Sequence, residues 1–136
     1  PWVDLSILRI DDEKQEVSYA SANRKLLHVK STTDFDVYKS NGYSIGGWQV
    51  KKDREFKAFV FPFIPGQKIY LGSDGFQDQF GGDNAKKFGS KQLHQLLCQN
   101  SEIPFDIQRD RLSAALRSWR VNQPQTDDIC VVGVEL

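Results

Sequence analysis

Two carboxylate corners hold the residues of this sequence best suited to chemistry. Asp74, in Ser73-Asp74-Gly75, follows the short run Lys68 to Leu71, and Asp127, in Thr126-Asp127-Asp128, precedes the apolar run Ile129 to Val134. If these runs are antiparallel neighbouring strands, both carboxylates emerge at one edge of a sheet. Converging anions are costly unless a proton or a cation lies between them, and all-oxygen ligands favour a hard divalent ion, Mg²⁺ or Mn²⁺. Gly75 lets the backbone turn beside such an ion, and it is equally suited to a plain turn. Asp78 and Asp83, following Asp74, could rim the same site. Asp11 with Asp12, and Asp34 with Asp36, read as turn residues whose carboxylates bond the local backbone.

The elements that must position these corners are legible from periodicity. Trp2 to Ile10 alternates, with Val3, Leu5 and Ile7 on one face, and Glu16 to Ala20 pairs with it as a hairpin across Asp11 to Gln15. Lys25 to Val29 is a further strand. A stretch punctuated by Asn41-Gly42 and Gly46-Gly47 leads to another, Glu55 to Phe63, before the Pro65-Gly66 turn. Lys68 to Leu71 then forms a short buried strand that delivers the chain to Asp74. Ser90 to Gln99 carries Leu93, Leu96 and Leu97 at helical spacing behind a serine able to cap, and Phe105 to Trp119 carries Leu112, Ala115, Leu116 and Trp119 on one stripe. Asp127 to Leu136 ends the chain as a strand whose apolar run on both faces suits a central position. The pattern predicts one α+β domain with two amphipathic helices lying on a mainly antiparallel sheet.

Composition narrows the function. The 136 residues are 39% hydrophobic and include 10 glycines, an ordinary globular profile. Eighteen basic residues balance eighteen acidic ones, which argues against nucleic acid or an anionic membrane as partner. The longest apolar stretch, Ala58 to Ile64, is broken by Pro62 and falls far short of the ~20 residues of a spanning helix. Cys98 and Cys130, far apart and without metal-type spacing, read as reduced packing thiols of a cytoplasmic domain. Trp2, Trp48 and Trp119 read as core residues, and His28 and His94 carry no assigned role. Lys86 and Lys87 read as exposed charge able to attract a phosphoprotein. The start at Pro1-Trp2, with no methionine anywhere, reads as a cut from a longer protein.

Together the motifs resemble a known family. Gly66-Gln67-Lys68-Ile69-Tyr70-Leu71-Gly72-Ser73-Asp74-Gly75-Phe76-Gln77-Asp78-Gln79-Phe80-Gly81-Gly82, then Lys87-Phe88-Gly89, then Thr126-Asp127-Asp128-Ile129-Cys130-Val131-Val132-Gly133-Val134 resemble the C-terminal half of the SpoIIE-type branch of the metal-dependent, protein phosphatase 2C-like enzymes. Upstream, Val17 to Leu27 is similar to that family's strand and turn, and Ser44-Ile45-Gly46-Gly47 to its small-residue loop.

The resemblance implies a sandwich of two β-sheets flanked by helices, of which residues 1–136 are a part, and a cytoplasmic serine/threonine phosphatase of bacterial signalling using two Mn²⁺ or Mg²⁺ ions. A metal-bridged water would attack phosphorus directly. It implies metal binding by Asp74 and Asp127, with Gly75 contributing through its backbone and Asp128, where many relatives have asparagine, supporting from behind. It further implies a phosphoprotein substrate, such as an anti-sigma-factor antagonist, and an upstream sensor domain in the same polypeptide. The family's other metal carboxylates lie in a Gly-Asp segment and an Asp-x-x-Gly-His segment, and neither precedes Trp2 here. Ala22-Asn23-Arg24 replaces the glycine-histidine of many relatives, with Arg24 read as solvated. Two readings follow: an incomplete catalytic domain inactive by itself, or a non-catalytic partner-binding module derived from it.

Overall fold

The computed structural model of the chain describes residues 1–40, 42–47 and 54–136. The strands are β1 (Trp2–Val3), β2 (Leu5–Asp11), β3 (Glu16–Ala22), β4 (Lys25–Ser31), β5 (Asp34–Lys39), β6 (Ile45–Gly46), β7 (Ala58–Pro62), β8 (Lys68–Gly72), β9 (Phe80–Gly81) and β10 (Lys86–Lys87). Helices α1 (Ser90–Gln99) and α2 (Phe105–Arg120) follow, and β11 (Val131–Glu135) closes the chain. An antiparallel sheet in the order β11-β8-β4-β5 faces a second one in the order β2-β3-β7, with β1-β6 and β9-β10 as small ribbons. The α+β class and antiparallel sheets agree with the sequence pattern.

Strand β4 shows why the layers stack. Leu26 packs with Val17, Tyr19, Phe61 and Ile69 between the two sheets, whereas Leu27 and Val29 turn the other way onto α1. Successive side chains on a strand point to opposite faces, so a strand covered on both sides is apolar throughout. The same geometry puts Ile69 of β8 in the inter-sheet core and Tyr70 under the helices. Leu112, Leu116 and Trp119 bring the stripe of α2 onto that helical side.

Several expectations are corrected. Trp2 to Ile10 is two strands, broken at Asp4, and its Val3, Leu5 and Ile7 face is the exposed one. Asp34 and Asp36 lie on β5, not in a turn, because Phe35 packs toward the helices and Tyr38 stacks on Phe61 at 4.3 Å. The last strand begins at Val131 and not at Asp127, and among the described residues it pairs with β8 alone, leaving Val132 exposed. Gly89, not Ser90, is the N-cap of α1. Trp2 is 71% exposed and Cys130 is also exposed, so neither is a core residue, while Cys98 is buried. Trp48 and Asn41 lie outside the described residues. No described helix is long and apolar enough to cross a membrane.

Candidate metal centre

The two carboxylate corners are fastened together. Strands β8 and β11 are antiparallel with Gly72 opposite Val131, so the exit of β8 and the approach to β11 share one end of the sheet. The Ser73 hydroxyl donates to the Asp128 carbonyl at 2.8 Å and accepts from the Cys130 N–H at 3.0 Å, and the Ser73 N–H donates to the Cys130 carbonyl at 3.0 Å. These bonds hold residues 128–130 against the corner after the regular ladder has ended. A Cβ on Gly72 would stand 2.2 Å from the Cys130 carbonyl oxygen, and one on Gly75 2.2 Å from that of Asp128. Both glycines are therefore explained by close backbone approach.

Buried side chains fix the loops on either side. Phe76 packs edge-on against Phe88 at 5.1 Å, and Phe88 against Trp119 at 5.5 Å. Gln79 is fully buried; its side-chain amide N–H donates to the Pro124 carbonyl at 2.9 Å and its backbone carbonyl accepts from the Trp119 indole at 2.9 Å. The segment leading to Asp127 is thus tied to the loop that follows Asp74. Asp127 is exposed, and its Oδ1 accepts from the Asp128 N–H at 2.8 Å. The Asp74 side chain is 40% exposed.

Arg24 is not solvated. Its guanidinium lies 2.8 Å from Asp4 and 3.4 Å from Asp74, bridging the start of the three-stranded sheet to the corner after β8. Asp4 in turn accepts from Asn23 at 3.2 Å and from the Ser44 hydroxyl. Asp4, Ser73 and Gln79 escaped sequence reading because each acts through partners distant in the chain. The usable signal for Ser73 was its place beside Asp74 in the Ser73-Asp74-Gly75 corner.

Asp78 lies 3.3 Å from Lys87, an exposed residue of β10. Burial holds the His28 and His94 imidazoles below their ordinary pKa, with Gln67 partly opposing this at His28 and Lys25 adding to it at His94. Beside Asp74, a cavity of about 220 Å³ opens toward α1.

A divalent ion fits part of this arrangement. Asp74 already holds a cation, the Arg24 guanidinium, and the oxygens at the two corners are the hard donors that Mg²⁺ or Mn²⁺ prefers. Among the described residues, however, no three His, Cys, Asp or Glu side chains converge on one point, so these residues supply only a portion of a coordination shell.

Among solved structures, the SiaA-PP2C domain of Pseudomonas aeruginosa matches 99% of this chain at 25% identity with a TM-score of 0.90, covering 52% of that domain's chain. The phosphatase domain of the cell fate determinant SpoIIE from Bacillus subtilis matches 98% of this chain and 57% of its own at 18% identity, TM-score 0.63. RsbX in complex with magnesium matches 96% of this chain and 54% of its own at 17% identity, TM-score 0.57. The latter two likenesses show the fold alone. This chain spans about half the length of these solved relatives. Among curated proteins, no sequence matches. The family model described as stage II sporulation protein E matches residues 2–136, so the chain, with the fold of the PP2C phosphatase domains, belongs to the SpoIIE family.

Proposed function

We propose that this chain is the C-terminal portion of a metal-dependent serine/threonine phosphatase domain acting on a phosphoprotein in bacterial signalling. The observation that carries the reading is the fastening of the Asp74 corner to the Asp127-Asp128 corner, with Asp74 already matched to a cation. Asp74 and Asp127 are the metal-holding carboxylates. Ser73 and Gly75 set the distance between the corners, Asp128 supports Asp127 through its N–H, and Arg24, anchored by Asp4, orients the Asp74 carboxylate. A bound divalent ion supplies an acidified water and neutralises charge on the phosphoryl oxygens. The remaining metal ligands come from Gly-Asp and Asp-x-x-Gly-His segments elsewhere in the protein. An anti-sigma-factor antagonist is the substrate type, and a sensor in the same polypeptide the controlling domain.

A non-catalytic module is favoured by the absence of a three-ligand cluster among the described residues. One experiment separates the two readings: hydrolysis of a phosphoserine peptide in ¹⁸O-labelled water, by the 136-residue chain and by a longer protein carrying both segments. The phosphatase reading expects Mn²⁺-dependent turnover with ¹⁸O in the released phosphate for the longer protein, and none of substance for the chain alone. No turnover in either leaves the non-catalytic module.

A further inference from the structure

The cavity beside Asp74 has a charge pattern that the proposed chemistry does not use. Its floor is apolar, built from Leu27 of β4, Tyr70 of β8, and Leu93 and Leu97 of α1. Its rim carries Arg24, Lys25 and Lys39, and among the described lining residues Asp74 is the one carboxylate. Arg24 and Asp74 face each other at 3.4 Å, which leaves the two lysines without a carboxylate among the described lining residues.

Those lysines are direct register partners across β4 and β5, Lys25 opposite Lys39. Like charges directly opposed on neighbouring strands are destabilising. Among the described residues, Lys25 Nζ reaches a hydroxyl, that of Ser90 at 3.5 Å, and neither Lys25 nor Lys39 has an ion pair. His94, on the α1 side of the cavity, is held toward its neutral form by burial and then by the Lys25 charge, so the positive charge facing the cavity is that of the lysines. An anion seated between the lysines relieves their repulsion, and the apolar floor suits the stem that carries it. At about 220 Å³ the cavity is smaller than the about 300–1,000 Å³ of pockets for drug-sized ligands, and it suits a single side chain.

We propose that this cavity receives an acidic side chain of the phosphoprotein substrate, close in sequence to the phosphorylated residue, with its carboxylate held between Lys25 and Lys39. The proposal rests on the phosphatase reading in placing the substrate's phosphoryl group at the neighbouring Asp74 and Asp127 corners.

The test uses two fluorescent phosphoserine peptides, one flanked by glutamates and one by alanines. Anisotropy gives their affinity for the 136-residue chain without metal, and kcat/KM is measured for the longer protein with Mn²⁺. The glutamate peptide should bind about fivefold more tightly, and Lys39→Glu, which replaces attraction by repulsion, should abolish or reverse that preference. Lys25→Gln should weaken it. Turnover of a small aryl phosphate by the longer protein should stay unchanged in Lys39→Glu, since that substrate carries no carboxylate for the lysines to hold. Equal affinity for the two peptides, or a preference that survives Lys39→Glu, overturns the proposal. A preference in the chain that vanishes in the longer protein also overturns it, because the cavity is then filled by the protein itself. Loss of aryl phosphate turnover in the unaltered protein refutes the phosphatase reading, while the anisotropy arm still decides whether the lysines bind carboxylates.

Discussion

Gly75→Ala tests whether the glycine between the corners serves packing before it serves any ion. A Cβ there would stand 2.2 Å from the Asp128 carbonyl oxygen, so ordinary contact near 3.4 Å requires the corners to part by about 1.2 Å. That movement stretches the 2.8 Å bond from the Ser73 hydroxyl to the same carbonyl beyond hydrogen-bonding range. Overpacking costs about 1–3 kcal/mol and the lost hydrogen bond about 1 kcal/mol. Gly75 is not among the residues with positive φ, so alanine is conformationally allowed and gains about 0.4–1 kcal/mol through a less disordered unfolded chain. The net expectation is a loss of about 2 kcal/mol, or about 8 °C in Tm at this chain length. Ser73→Ala removes the two hydroxyl bonds, keeps the backbone one to Cys130, does not force the corners apart and should cost about 1–2 kcal/mol, because water can replace partners at this exposed site. Guanidinium unfolding in EDTA, followed by far-UV circular dichroism, measures both variants without any metal contribution. A metal-free Gly75→Ala protein within about 0.5 kcal/mol of wild type would refute the reasoning, since surface turns without special geometry tolerate such changes.

Three further outcomes are expected. Arg24→Ala strips the closest cation from Asp4, whose side chain is only 15% exposed, and should cost about 1–3 kcal/mol in chemical denaturation; an unchanged midpoint would mean that the bridge is ornamental. Asp74→Asn should leave metal-free stability unchanged or lowered by up to about 1 kcal/mol, because Arg24 already neutralises this partly exposed carboxylate; a clear gain would show unrelieved carboxylate repulsion instead. His28 is buried, with Nε2 2.8 Å from Gln67 Oε1, and burial holds its pKa below the ordinary 6.5. The unfolded chain therefore takes up the proton first, so this stability is fully present above about pH 6.5 and is lost as pH falls toward the lower folded value. Denaturation midpoints of His28→Phe should fall less steeply between about pH 7 and 5 than those of wild type, with His94 retaining part of the slope; parallel profiles would contradict the assignment.

Legibility in the sequence followed the range of the interactions. The two helices were readable because their apolar spacing is local, whereas the common end of Asp74 and Asp127 was legible only on the condition that their strands are antiparallel neighbours, a long-range pairing that the β8–β11 ladder supplies. β5 was missed because two aspartates in six residues mimic a turn, while Phe35 and Tyr38 supply its anchors in two different layers. The exposure of Val3 on β1 and of Leu5 and Ile7 on β2 was not legible, because period-two alternation marks a shared face without saying whether that face is buried. Arg24 was read as solvated because its partners Asp4 and Asp74 lie 20 and 50 residues away, and only the packed sheets bring them together. Ser73 and Gln79 were invisible for the same reason: their bonds go to backbone carbonyls of residues 128 and 124.

The most direct test of the central claim is Mn²⁺ titration of a longer protein carrying the Gly-Asp and Asp-x-x-Gly-His segments, comparing wild type with Asp74→Asn, Asp127→Asn and the double variant. Mn²⁺ binding by electron paramagnetic resonance and phosphopeptide turnover are read on the same samples. If the two carboxylates hold one metal cluster, each single change should weaken Mn²⁺ binding by more than about tenfold, with turnover falling in step. The double variant should then be little worse than the worse single one. Near-normal turnover of either single variant at saturating Mn²⁺ would contradict the account and make the two corners ordinary turns.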